Sequence, residues 1–307
     1  MNKSFTLIEI LVVIVVIGVL SAFVLVGISS ITNSANINKS KAFSDSVRNS
    51  LLIYLFSELK LNNNANDSWK SNNGTLYGSP LFDIESNCIE NECLIFDGNN
   101  DYIDLGNNPS LVSIFDNGNK FTYSLWFYPV EYPNTEWQWL VCKAFTSHIS
   151  PYYQIDLRIR GGSSDFRVVN CVWNEAVGNY LPSVSSGNGS IKINTWNYVV
   201  ATVDLSAKEN RIYLNGVLKE LRSGTTGTYS NYNTPLTIGI DKNIPVSPTY
   251  AFNGKIDNFN LYSDVIPSSK IKENYYLGLS KLFKDKNIIL GEFNQRLTEL
   301  KSDLVNQ

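Results

Sequence analysis

The sequence predicts a long N-terminal α-helix, membrane-spanning at first and then amphipathic, joined to an all-β sandwich and closed by a short C-terminal helix. Three observations predict it. An apolar run covers Ser4 to Ile28 with Glu9 as its single carboxylate. A four-residue apolar period follows over Phe43, Val47, Leu51, Leu55 and Leu59, and from about Asn87 to Tyr262 the period drops to two.

The apolar run reaches the roughly 20 residues a helix needs to cross a bilayer. Its β-branched Val and Ile residues do not oppose this, because lipid offers the backbone no alternative partner. A carboxylate in such a segment costs roughly 2.5–3.5 kcal/mol when deep, so Glu9 calls for a cation and a task. The preceding tetrapeptide, with Lys3 as its only charge, is too short for a secretory n-region.

Lys3-Ser4 followed by Phe5-Thr6-Leu7-Ile8-Glu9-Ile10 resembles the class III signal of type IV pilins and type II secretion pseudopilins. The resemblance implies a leader, residues 1–4, removed by a prepilin peptidase between Ser4 and Phe5, and methylation of the new Phe5 amino terminus. It also implies that Glu9 pairs with the amino terminus of a neighbouring pilin-like subunit during assembly on an inner-membrane platform. The implied location is the cytoplasmic membrane, crossed once by residues 5–31 with the remainder outside, and then a pilus or pseudopilus at the cell surface. Ser4 stands where Gly is usual, and Val26 where many major pilins carry a kinking Pro. A plain signal anchor is the competing reading.

Between Ser34 and Leu61 the chain turns polar, with Lys41, Asp45, Arg48 and Glu58 among the apolar positions, as on an amphipathic helix. Residues 5–61 are therefore expected to form one pilin-like helix, broken by Asn62-Asn63-Asn64, with residues 62–86 as a linker. A net charge of −3 with 17% charged residues gives no nucleic-acid surface to the main domain. Four cysteines suit an extracytoplasmic domain with disulfides. They allow three pairings; Cys88 and Cys93 flank a short loop and Cys142 and Cys171 lie in separate strand-like runs, which favours 88 with 93 and 142 with 171, with free buried thiols as the competing reading.

Short runs such as Phe121 to Tyr128, Tyr153 to Ile159, Trp196 to Val203 and Gly254 to Tyr262, separated by Gly, Asn, Pro and Ser, read as strands of a sandwich. Asn215-Gly216, between RIYL and VLKE, is a hairpin signal because both residues tolerate positive φ. Phe96-Asp97-Gly98 followed by Asp101-Tyr102-Ile103, Phe121 to Phe127, Asn194 to Thr202, Ile212 to Gly216 and Phe252 to Tyr262 in this order resemble the laminin-G-like branch of the concanavalin A-like lectin/glucanase jelly rolls. That resemblance implies a jelly roll over residues 87–278 with Trp126 and Trp196 in its core. It also implies a calcium ion held by Asp257 and a carbonyl of Gly98, with Asp97 and Asp101 in reserve, since hard oxygen ligands suit that ion.

No catalytic residue is assigned. Retaining glycoside hydrolysis needs two carboxylates about 5 Å apart, and neither Gln154, Asp156, Arg158 nor Lys255, Asp257, Phe259 supplies a pair on one strand face. His148 is the only histidine and reads as a surface loop residue. A sugar site would need an aromatic platform beside polar groups, for which Trp137, Trp139 and Trp173 are the candidates.

After Tyr262, Pro267-Ser268-Ser269 starts a helical segment, and Ile289, Phe293, Leu297, Leu300 and Leu304 form one stripe of an amphipathic C-terminal helix within residues 279–307. Either a partner helix or a groove on the chain's own domain would cover it. The reading that follows is a non-enzymatic minor pilin or pseudopilin-like subunit displaying a jelly roll that binds a glycan or protein. The alternative is a membrane-anchored polysaccharide-active enzyme of the concanavalin A-like superfamily.

Overall fold

The computed structural model describes residues 42–84, 87–115, 118–133, 137–144, 153–162, 165–172, 181–224, 233–242 and 250–305. Ser4, Phe5, Glu9, the membrane run 5–31, His148 and Trp173 lie outside these residues. The chain divides into two compact units, Met1–Ser50 and Leu51–Gln307. In the first, the described residues 42–50 form a helix (α1). Among the described residues no helix is long and apolar enough to cross a membrane.

In the second unit, residues 51 and 52 are helical and Ile53 and Tyr54 turn into strand β1, Leu55–Leu59. The sequence placed Leu55 and Leu59 on the helix; the structure puts them in a fully buried strand paired antiparallel with β15, Asn253–Tyr262. Two-sided burial needs an apolar run with no particular period, so LFSEL satisfies both patterns and the partner strand decides.

Two antiparallel sheets make the sandwich. Sheet A runs β13 (Val217–Ser223), β12 (Glu209–Leu214), β11 (Asn197–Asp204), β6 (Lys120–Pro129), β15, β4 (Cys93–Asp97) and β3 (Leu81–Asp83). β4 pairs with Asn253–Ile256 of β15 and β1 with Phe259–Tyr262, so β1 and β4 follow one another along the same edge of β15. Sheet B runs β10 (Leu181–Ser185), β9 (Arg167–Val172), β8 (Tyr153–Arg160), β7 (Trp137–Ala144), β14 (Thr237–Ile238), β5 (Tyr102–Asp104) and β2 (Thr75–Tyr77). β2 and β3 fall in the expected linker 62–86, which is thus part of the sandwich.

Alternation sets what each sheet buries. Phe121, Tyr123, Leu125 and Phe127 of β6 join Ile155, Leu157 and Ile159 of β8 in the core between the sheets. A polar link crosses this core: the Tyr123 hydroxyl donates to Asn170 Oδ1, whose Nδ2 donates to Asn210 Oδ1 at 2.8 Å. Helix α2, Pro109–Phe115, adds Leu111, Ile114 and Phe115. Asn215 and Gly216 adopt φ of 54° and 79° in the tight β12–β13 turn.

Trp126 and Trp196 are buried but do not belong to the inter-sheet core, contrary to expectation. On β6 the odd positions face inward and Trp126 faces out, where α3, Ser268–Lys284, covers it: its indole stacks on Tyr275 at 5.6 Å and lies 5.1 Å from Tyr198. α3 runs past the expected boundary at 278, and a further helix, α4, spans Leu290–Val305. The stripe on α4 meets its own domain: Leu300 lies against Gly216, and Arg296 donates to the Trp196 carbonyl at 2.8 Å. Ile289, before the helix, is 75% exposed.

Candidate ligand-binding face

With α3 over part of the outer face of sheet A, the outer face of sheet B is left to present aromatic and charged side chains together. Its middle is filled by a second, smaller apolar cluster of Trp139, Cys142, Ala144 and Tyr153, with Trp137 and Tyr250 packed against it. Trp139 and Tyr250 meet edge to face at 5.2 Å. Trp139 is therefore a structural residue, 2% exposed, rather than the platform the sequence allowed. A register shift between Trp139 and Val141 helps turn it under the cluster.

Trp137, two residues earlier, is only half-buried and opens the rim. It pairs across with Arg160, which ends β8 at the turn through Gly161, where φ is 89°. The Arg158 guanidinium lies 3.8 Å from the centre of the Trp137 ring and that of Arg160 lies 4.7 Å from it. Arg158 is ion-paired to Asp156 at 3.3 Å and donates to Cys171 Sγ. Gln154, expected on the same strand face, instead donates to the Phe115 carbonyl at 3.3 Å.

Cys142 and Cys171 are separate buried thiols, not the second bridge expected. Both are register partners of Asp156, one on each side, so they stand two strands apart. That is roughly 10 Å between Cα atoms, beyond the usual disulfide span of about 4.4–6.8 Å. Burial, with Asp241 and Asp156 nearby, pushes the Cys142 thiol well up, and burial with Asp156 raises Cys171, so neither is a ready nucleophile. Cys88 and Cys93 do form a disulfide, with Cα atoms 5.5 Å apart.

Asp257 and Gly98 are not brought together. Asp257 follows Ile256, the partner of Leu94, whereas Gly98 follows Asp97, the partner of Asn253, so the two lie toward opposite ends of the β4–β15 pairing. Asp257 is fully buried and its Oδ2 accepts the Ile89 and Glu90 backbone N–H groups at 2.8 and 3.0 Å. Burial raises its carboxyl well above the ordinary range despite those bonds. Asp101 is occupied with the N–H groups of Ser79 and Asp97, and Asp97 with that of Asn99. These residues do not fit a calcium centre, and among the described residues no three His, Cys, Asp or Glu side chains cluster to hold a metal.

The rim at Trp137 and Arg160 and the small aromatic cluster escaped sequence reasoning, whereas the disulfide loop did not. The loop was legible from cysteine spacing. The arginines were visible as Arg158 and Arg160 at i, i+2, but their stacking on Trp137 depends on strand register.

The profile of the prokaryotic N-terminal methylation motif matches residues 1–25. The profile described as the concanavalin A-like lectin/glucanases superfamily matches residues 97–272. No curated protein matches the chain in sequence. Among solved structures, domain 4 of an extracellular arabinanase from Geobacillus stearothermophilus, in complex with arabinotriose, is similar at a TM-score of 0.51 and 16% identity, over 72% of this chain and 97% of that one. The binding domain of Paraclostridial Mosquitocidal Protein 1 aligns at 0.54 and 16% identity, over 75% of this chain and 53% of that one. The receptor-binding domain of the botulinum neurotoxin C/D mosaic serotype aligns at 0.54 and 18%, over 73% and 51%. The chain thus spans about half of each toxin domain, and at these identities the likeness is one of fold. Over more than half its length, this chain belongs to the concanavalin A-like lectin/glucanases superfamily.

Proposed function

We propose that the protein is a pilin-like filament subunit, a minor pilin or pseudopilin, that carries a non-enzymatic glycan-binding jelly roll outside the cytoplasmic membrane. The observation that carries this is the methylation motif at residues 1–25 on the same chain as a lectin-type sandwich. In this reading prepilin peptidase cuts between Ser4 and Phe5, Phe5 is methylated, and Glu9 contacts the amino terminus of a neighbouring subunit on the assembly platform. A large head crowds a packed filament, which favours a minor subunit. On the head, the rim at Trp137 supports ligand binding, and the arabinotriose held by the similar arabinanase domain makes short glycans the first ligands to try.

Catalysis by the same face is disfavoured because Asp156, turned outward on β8, is fully buried and ion-paired with Arg158. Mass spectrometry of the chain from cells with active prepilin peptidase is expected to show N-methylated Phe5 as the first residue; retention of Met1 would overturn the pilin reading. Probing the full chain in detergent micelles against a glycan array is expected to give stable binding. Hydrolysis of the bound glycan would instead favour the membrane-anchored enzyme.

A further inference from the structure

Among the described residues, the rim of sheet B carries more positive charge than its neighbours neutralise. Trp137, Arg160 and Arg167 are register partners in a row across β7, β8 and β9. Arg167 is ion-paired with Asp165 and also donates to Asn188, and Arg158 is ion-paired with Asp156. The Arg160 guanidinium has no carboxylate partner among the described residues, although the chain as a whole is acidic at −3. Its described side-chain contact is the Trp137 ring, 4.7 Å away. Stacking engages the flat face of a guanidinium and leaves the N–H fork along its edge, the geometry that receives a carboxylate or sulfate in two parallel hydrogen bonds. Its position at the end of β8, half-buried before a glycine turn, restricts the side chain while keeping it in reach of solvent.

Resting on the glycan-binding reading above, we infer that this corner selects acidic saccharides, with Arg160 receiving the sugar's carboxylate or sulfate beside Trp137. Arg158 is a positioning residue here: stacked on the same indole at 3.8 Å and tied to buried Asp156, it holds the Trp137 ring in place. An acidic protein surface could offer the same anions, but a single arginine beside an indole suits one charged sugar better than an extended acidic patch.

The test uses the full chain in detergent micelles and paired oligosaccharides: uronate oligomers against their carboxyl-reduced forms, and sulfated oligomers against their desulfated forms. The acidic member of at least one pair is expected to bind about tenfold or more tighter at low salt, with the advantage shrinking as salt rises. Which pair shows it identifies carboxylate or sulfate as the anion. Arg160→Gln is expected to leave the acidic member binding no more tightly than the neutral one, and Arg160→Lys to restore only part of the difference. Neutral binding with no acid preference, or a preference that survives Arg160→Gln, would overturn this inference and leave the glycan reading standing. If neither member of any pair binds, or only acidic peptides do, both fall.

Discussion

Gly278 of α3 lies flat against the indole of Trp126: a Cβ built on the glycine would come within 2.2 Å of Trp126 Cζ2. The helix can approach sheet A this closely only where a side chain is missing. Gly278→Ala should push α3 off its stacking with Trp126 and destabilise the domain by about 1–3 kcal/mol. Urea unfolding followed by tryptophan fluorescence measures it, and an unchanged midpoint would mean that the helix is only loosely seated.

The two tryptophans of β7 should separate cleanly by mutation. Trp139→Ala empties a buried site and is expected to cost about 3–5 kcal/mol of stability. Trp137→Ala removes the stacking with Arg158 and Arg160 and one edge of the small apolar cluster, a smaller loss of stability than at Trp139, yet should remove glycan binding. Thermal unfolding and array binding of both variants check this pair of outcomes.

Thiol chemistry should distinguish the four cysteines. In the native protein no thiol should react with an alkylating reagent, and after denaturation without reductant Cys142 and Cys171 alone should be modified. Reducing the Cys88–Cys93 bridge, which closes a short loop, is expected to lower stability by about 2 kcal/mol. Mass spectrometry of alkylated peptides gives the first result and calorimetry with and without reductant the second.

Two buried aspartates should move stability with pH in opposite directions. Asp67 is buried, which by itself would raise its carboxyl, but N–H groups of Glu58, Trp69, Lys70 and Asn72 outweigh that and leave it lowered. Its contribution is complete above its unfolded value of 3.8 and is lost as pH falls toward its lower folded value. Asp257 is raised, so its contribution is complete below 3.8 and is lost as pH rises through its folded value. The melting temperature of Asp257→Asn minus that of wild type should therefore be more positive at pH 8 than at pH 4. For Asp67→Asn the difference should be more negative at pH 7 than at pH 3.

Alternation made nine strands readable, because a strand with one face in the core repeats every two residues whatever it pairs with. β2 and β3 were missed because three residues carry too little period. β1 was missed because a run buried on both faces has none. The candidate rim was legible only as composition: Trp137, Trp139, Arg158 and Arg160 stand out in the chain, but nothing local says which tryptophan is covered.

The class of this protein is legible from the chain alone: a motif at Lys3 to Ile10 marks the N-terminal segment, a two-residue period marks a sandwich, and Asn215-Gly216 marks a hairpin. These signals are local, written in neighbouring residues. Long-range pairing sets that Leu55–Leu59 joins sheet A, that α3 packs on the outer face of that sheet through Gly278 and Trp126, and that Cys142 and Cys171 stand on either side of Asp156 out of each other's reach. It also sets that Arg160 meets Trp137. Each of these rests on the register and covering of strands far apart in the chain, and the free energy of such contacts belongs to pairs of segments rather than to either segment alone.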